Sequence, residues 1–222
     1  MKIAPIAHIR TDFPEKFGIP RQPGVVESLK GKIVFEPEYR NPDMVRGLEE
    51  FSHLWLIWAF DRAERDTWSP TVRPPRLGGN KRVGVFATRS PFRPNAIGLS
   101  CVRLLGVEKT PEGNVLKVAG ADLVNGTPIY DVKPYIPYAD CRTDATGGFT
   151  DDVEKRTVDV EFSEEARKQL TEEEQRELKA VLKEDPRPAY QENPEREYVF
   201  GFAGKQIHFK VRNSLLTVTK VE

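Results

Sequence analysis

Cysteine is scarce. The 222 residues hold two, Cys101 and Cys141, in no C-x-x-C spacing. Neither a disulfide framework nor a thiolate zinc site is indicated, and two reduced thiols of an intracellular protein are expected. Histidine is nearly as rare. His8, His53 and His208 lie far apart without metal-ligand spacing, so no metal is expected. His53, which opens an apolar run, reads as a half-buried strand residue. Long apolar runs are missing as well. The longest, "LWLIWAF" (Leu54 to Phe60), is far too short to span a bilayer. The opening "MKIAPIAHIR" lacks the apolar region of a signal peptide. A soluble, cytoplasmic protein with no membrane partner is expected. No P-loop, no G-x-G-x-x-G after a strand and no G-x-S-x-G occurs, so phosphate-loop, dinucleotide-fold and serine-hydrolase chemistries are not indicated.

Acidic residues are absent from one long window. The chain balances 34 basic against 34 acidic residues. Yet Thr67 to Val107 contains no Asp or Glu and carries Arg73, Arg76, Lys81, Arg82, Arg89, Arg93 and Arg103. A basic surface within a neutral chain suits a polyanion held at one place. Ordinary solvated loop arginines fit the charge pattern equally well. The segment 151–184 is the opposite, rich in Glu.

What is present is a succession of short apolar, β-branched runs punctuated by Gly, Pro and Asn. "KIAPIAHI", "GKIVFEP", "HLWLIWAF", "RVGVFA", "LSCVRLLGVE", "NVLKVAGADL" and "TPIYDVKPYI" all read as strands. "PEGN" (Pro111 to Asn114) predicts a hairpin between Leu99–Glu108 and Val115–Gly120. "NPDMVRGLEEF" predicts a short helix with Asp43 as N-cap. After Thr150 the pattern changes. "VDVEF" alternates as a strand, Ser163 and Thr171 look like N-caps, and Thr171 with Glu174 fits a capping box. Leu178, Val181 and Leu182 recur at helical spacing, and "DPRP" stops the helix. Strands with "AGK" and "RNS" turns close the chain. The fold class expected is mainly β. A β-barrel, non-Rossmann N-terminal domain (1–152) precedes a small α+β C-terminal domain (153–222).

Three stretches carry a resemblance: "GIPRQPG" (Gly18 to Gly24), "GVFATRSPFRPNAIGLS" (Gly84 to Ser100) and "DLVNGTPIYDVKPYIPYAD" (Asp122 to Asp140). Together they resemble the TsaA-like proteins, whose best-understood members are TrmO-type tRNA methyltransferases. "EEFSHLWLIWAF" and "DPRPAY" fit as well, so the resemblance spans most of the chain. It implies a homodimeric S-adenosyl-L-methionine-dependent enzyme built on a β-barrel. It also implies methyl transfer to N6 of threonylcarbamoyl-adenosine beside the anticodon of a threonine tRNA.

The same resemblance assigns roles. The cofactor pocket falls to Arg21, Gln22, Pro23, Asp61, Arg62, Arg89, Leu99, Asp122, Leu123, Val124 and Asn125. In it, Arg89 pairs with the methionine carboxylate, Asp122 accepts hydrogen bonds from the ribose or amino group, and Leu99 and Leu123 wall the adenine. Residue type alone favours plain turns for Arg21–Pro23 and for Asp122–Asn125 before Gly126. Asp131 and Tyr130 are the candidate catalytic residues, since a nitrogen attached to a carbonyl needs only a weak base. Arg73, Arg76, Lys81 and Arg82 are expected to meet the phosphates of a tRNA anticodon loop. Arg93 and Asn95 are expected to order their loop or contact RNA. Asp61 stands where the family often has histidine, and Asn125 where an acidic residue is common. Those departures keep a second class open, a cofactor- or RNA-binding regulator without turnover, and a third, methylation of another acceptor.

Overall fold

The computed structural model describes residues 2–222 except 64–66, 75–76, 78–80, 153–155 and 188–192. The first part is built from β1 (Ala7–Arg10), β2 (Lys30–Phe35), β3 (His53–Ala59), β4 (Thr71–Val72), β5 (Val83–Gly84), β6 (Ile97–Thr110), β7 (Gly113–Ala119) and β8 (Pro128–Pro134). Six of these pair in a closed ring, β1-β2-β7-β6-β3-β8, and β4 with β5 forms a separate ribbon. Alternation drives the ring. Leu54, Leu56 and Trp58 of β3 point inward, and His53, Trp55, Ile57 and Ala59 outward. Ile9, Ile33, Val102, Leu116, Val118 and Ile129 fill the interior with them, as side chains fill any small closed sheet. The β6–β7 hairpin forms as expected, with Thr110 opposite Gly113. Gly106 interrupts its register, and the bulge turns Leu105 outward.

The second part contains α1 (Pro137–Asp140), β9 (Asp159–Phe162), α2 (Glu164–Lys168), α3 (Glu172–Lys183), β10 (Tyr198–Phe202), β11 (Lys205–Arg212) and β12 (Leu215–Val221). Of these, α1 packs with the first part, where Asp140 Oδ2 accepts from Trp55 Nε1 at 2.9 Å. The strands β10-β11-β12-β9 form one sheet, with β9 parallel to β12. Ser163 caps α2, and Thr171 with Glu174 closes the expected capping box at the start of α3. Leu178, Val181 and Leu182 press against a sheet rich in aromatics, among them Phe200, Phe202 and Phe209.

One expectation fails. "NPDMVRGLEEF" is no α-helix but two 3-10 turns, Pro42–Val45 and Leu48–Glu50, and the cap is Asn41, whose side chain accepts from the Asp43 N–H. The glycine at position 47, in the left-handed region, breaks the segment between the turns.

The link between β1 and β2 holds a structural surprise. Phe13, Val26 and Leu29 belong to the second core, not to the ring. The Phe13 ring meets Phe202 edge-on at 5.4 Å. Ala203 N–H donates to Asp12 O at 3.0 Å, and Gly201 N–H to a Glu15 carboxylate oxygen at 3.0 Å. Gly18 adopts φ +92°, and a Cβ there would lie 2.4 Å from Phe200 Cδ2. Only glycine fits both the conformation and the gap. Residues 11–29 thus form a strap that leaves the ring, packs on the aromatic sheet and returns.

Candidate active site

Four pieces meet at one end of the ring: the exit of β3, the entry of β6, the turn between β7 and β8, and the strap. The Phe60 N–H bonds Ala96 O at 2.9 Å, closing the first two on each other. The turn, residues 122–127, is fastened to the strap by several hydrogen bonds. Thr11 Oγ1 donates to Leu123 O at 3.0 Å, and Thr11 N–H to Asn125 Oδ1 at 3.1 Å. The Asn125 N–H reaches Phe13 O at 2.7 Å. Arg62 then bridges the two, donating to Pro14 O at 2.6 Å and to Asn125 O at 2.8 Å.

Asp122 opens this turn. Its Oδ1 accepts from the Ser100 hydroxyl at 2.7 Å, and Ser100 Oγ in turn accepts from Trp58 Nε1 at 3.0 Å. Burial pushes the Asp122 carboxyl above the usual carboxylate range, opposed by the Ser100 hydrogen bond, its own N–H and the Arg89 guanidinium. Arg89 donates to the Gln22 side-chain oxygen. So Gln22 of the strap, Arg89 of the loop before β6, and Asp122 converge. Arg21, beside Gln22, donates to Arg187 O at 3.0 Å and tethers the strap to the second unit. Pro23 follows in the same bend.

The other sequence-predicted residues separate into groups. Leu99 points outward, 54% exposed. Strand register places it and Asp131 on either side of Ile57, so these two share the outer face. Tyr130 occupies the irregularity where the β3–β8 register shifts. Asp131 Oδ2 lies 2.7 Å from Lys133 Nζ and its Oδ1 accepts from the Val132 N–H. Arg73, Lys81 and Arg82 flank the tip of the β4–β5 ribbon and are exposed. Arg82 Nε donates to Thr71 Oγ1 at 2.8 Å. Arg93 reaches Thr88 O within its own loop at 3.4 Å, and Asn95 is exposed beside it. Arg76 lies outside the described residues. Asp61 is exposed in the turn after β3.

Three of the expected cofactor residues are engaged within the protein. Leu123 is 1% exposed and packs inside the ring, where its side chain supports the turn. Val124 offers no carbonyl to a ligand, because Thr127 N–H and Oγ1 both donate to it. Arg62 directs two donors at backbone carbonyls and braces the turn. Sequence reasoning missed Trp58, Ser100 and Thr11. Ser100 carried a local signal: a hydroxyl at an inward position of β6, among Val102 and Leu104.

Comparison with known proteins places this geometry. A model of the tRNA-methyltransferase O N-terminal domain matches residues 8–141, and a model of the TrmO C-terminal domain matches 155–222. The chain belongs to the tRNA-methyltransferase O family. It is 46% identical over 196 residues to a tRNA (adenine(37)-N6)-methyltransferase of Escherichia coli, covering 86% of this chain and 83% of that protein. A putative S-adenosylmethionine-dependent methyltransferase of Pseudomonas aeruginosa is 45% identical over 204 residues, covering 88% and 86%. The mouse tRNA (adenine(37)-N6)-methyltransferase matches 134 residues at 42% identity, 60% of this chain and 30% of that one. The crystal structure of TrmO from P. aeruginosa superposes with a TM-score of 0.81 at 37% identity, over 100% of this chain and 96% of that one. Among the described residues no cluster of His, Cys, Asp and Glu could hold a metal ion, and no helix is long and apolar enough to cross a membrane.

Proposed function

We propose that the chain is an S-adenosylmethionine-dependent tRNA (adenine-N6)-methyltransferase acting on threonylcarbamoyl-adenosine 3′ of the anticodon in threonine tRNA. The observation that carries this is the convergence of Gln22, Arg89 and Asp122 where β3, β6 and the strap meet, in a chain matched along both its parts by one family. The donor set suits the cofactor. Arg89 offers a planar fork to a carboxylate, and Asp122 offers a partly desolvated acceptor to a hydroxyl or ammonium. Leu99 offers an exposed apolar surface to a flat base. When bound, S-adenosylmethionine supplies an electrophilic methyl group. The chain's task is to orient it, exclude water and receive a proton. In this reading Asp131 is that acceptor, with Tyr130 beside it.

The wider assignments follow in the same reading. The closed six-strand ring supports a β-barrel, and the two core clusters support two domains meeting between residues 152 and 153, with the strap crossing from one to the other. Phe86, Ile97 and Leu105 leave an apolar outer surface that a second copy would cover in a homodimer. Arg73, Lys81 and Arg82 would approach anticodon-loop phosphates. In this reading the enzyme is cytoplasmic. A regulator without turnover loses part of its support here, because Asn125 uses its side-chain oxygen to brace Thr11, a role that needs no negative charge.

The deciding experiment is labelled methyl transfer from S-adenosylmethionine to threonine tRNA with and without the threonylcarbamoyl group. Label in the modified tRNA alone is expected. No label in either, with cofactor binding intact, overturns the reading in favour of the regulator or of another acceptor.

A further inference from the structure

The inward face of β6 is apolar except at one place. Ser100 is 0% exposed and sits at the same depth as Val102. A buried hydroxyl needs partners, and Ser100 has two, with a fixed direction between them. The indole Nε1–H of Trp58 can only donate, so at 3.0 Å it must occupy a lone pair of Ser100 Oγ. The single hydroxyl hydrogen is then left for Asp122 Oδ1, 2.7 Å away. The chain therefore runs one way, from indole through hydroxyl to carboxylate. Gly98 makes the arrangement possible. A Cβ there would lie 2.3 Å from Trp58 Cε2, so any side chain would push the indole off β6 and off Ser100. The "IGLS" string thus reads as a seat for Trp58 followed by the group that Trp58 orients.

We propose that Trp58 and Ser100 are positioning residues that hold the Asp122 carboxylate in place and in its charged form, leaving its remaining acceptor capacity to the hydrogen-bond donors of S-adenosylmethionine. The inference rests on the reading of Asp122 as a cofactor-facing group and adds two residues that touch no cofactor. Burial alone favours the neutral acid. Three things oppose it: the hydroxyl from β6, the Asp122 N–H, and the guanidinium of Arg89, the charged group that faces Asp122. Removing the hydroxyl should let burial win over a wider range of pH.

Two measurements test this on the full-length protein. The first is the carboxyl carbon titration of Asp122 by NMR in the cofactor-free state. The second is calorimetric binding of S-adenosylhomocysteine between pH 5.5 and 8.5. In Ser100→Ala the Asp122 titration moves to higher pH, and affinity for S-adenosylhomocysteine at neutral pH falls on the order of tenfold. Trp58→Phe moves both in the same direction by less, since the hydroxyl is kept but no longer oriented. Ser100→Thr restores both. Val102→Ala, which removes packing from the same face, lowers Tm without moving the titration. A folded Ser100→Ala protein with the wild-type titration overturns the relay. A shifted titration with unchanged affinity overturns its link to the cofactor. Failure of the wild-type protein to bind S-adenosylhomocysteine at all would instead strike the functional reading, and the titration arm would still decide the relay.

Discussion

The two cores of this molecule are built from different materials. The ring interior is mostly aliphatic, with Trp58 and Phe35 its buried aromatics and Ser100 a fully buried hydroxyl on β6. The second core is a mesh of rings: Tyr198 stacks on Phe209 at 5.2 Å, and Phe200 meets Phe209 edge-on at 6.1 Å. Aliphatic side chains fill a closed ring in layers, and one polar chain can be threaded among them if every member is satisfied. Aromatic faces give broad contact to a segment that has no regular structure of its own. The strap is such a segment, and the Phe17 ring lies among Tyr198, Phe200 and Phe209. The ring therefore carries the chemical groups, while the aromatic core fixes the loop that completes their surroundings.

Mutations on the two sides should separate these roles. Phe200→Ala is expected to have the largest effect, about 3–5 kcal/mol of stability, because it empties the aromatic core and removes the floor beneath Gly18. Denaturant unfolding measures the loss. If Gln22 and Arg89 depend on the strap, S-adenosylhomocysteine binding weakens too, and unchanged affinity would uncouple the second core from the site. Gly18→Ala should come next, at roughly 1–3 kcal/mol, through clash and backbone strain at the same contact. Thr171→Ala removes the capping box of α3 and should lower stability by about 1 kcal/mol. Cofactor affinity should hold, and a fall there would show that the second unit and the site are coupled through α3 as well as through the strap.

The smallest expected stability change has the opposite sign. Burial raises the Asp122 carboxyl in the folded state. Its contribution to stability is therefore full below the ordinary carboxylate range and is lost as pH rises through the raised value. At neutral pH the charge opposes folding. Asp122→Asn keeps an acceptor for Ser100 and should raise Tm slightly at neutral pH. The gain should shrink as the pH is lowered, while binding of S-adenosylhomocysteine is lost. Thermal melts at several pH values test the sign, and an unchanged or lowered Tm at neutral pH would contradict the burial of this charge.

Much of the fold was legible locally. Alternation in "HLWLIWAF" and "LSCVRLL" marked strands with a buried face, and Thr171 and Glu174 announced α3. The strap was not legible. Phe13, Phe17, Val26 and Leu29 lie in a Pro- and Gly-rich stretch without periodicity, and their partners are distant in the chain. The 3-10 turns near Asn41 were misread as a helix because the polar and apolar residues there mimic one. For the site, Gln22, Arg89 and Asp122 came through a family motif, since no local rule marks an arginine and an aspartate from different loops as neighbours. The motif also includes Leu123, which packs in the ring, and Arg62, which braces the turn. A pattern of residues that travel together does not distinguish those that face a ligand from those that hold the facing ones still.

The strap has a consequence for how the protein is made. Its residues leave the ribosome well before Tyr198, Phe200, Phe202 and Phe209, against which they pack. Ring strands can pair while synthesis continues, as amino-terminal units generally do. The strap must wait, its apolar side chains uncovered, until the final sheet exists. A chain interrupted before the aromatic sheet is made would then carry ring strands beside a strap that has nothing to pack on.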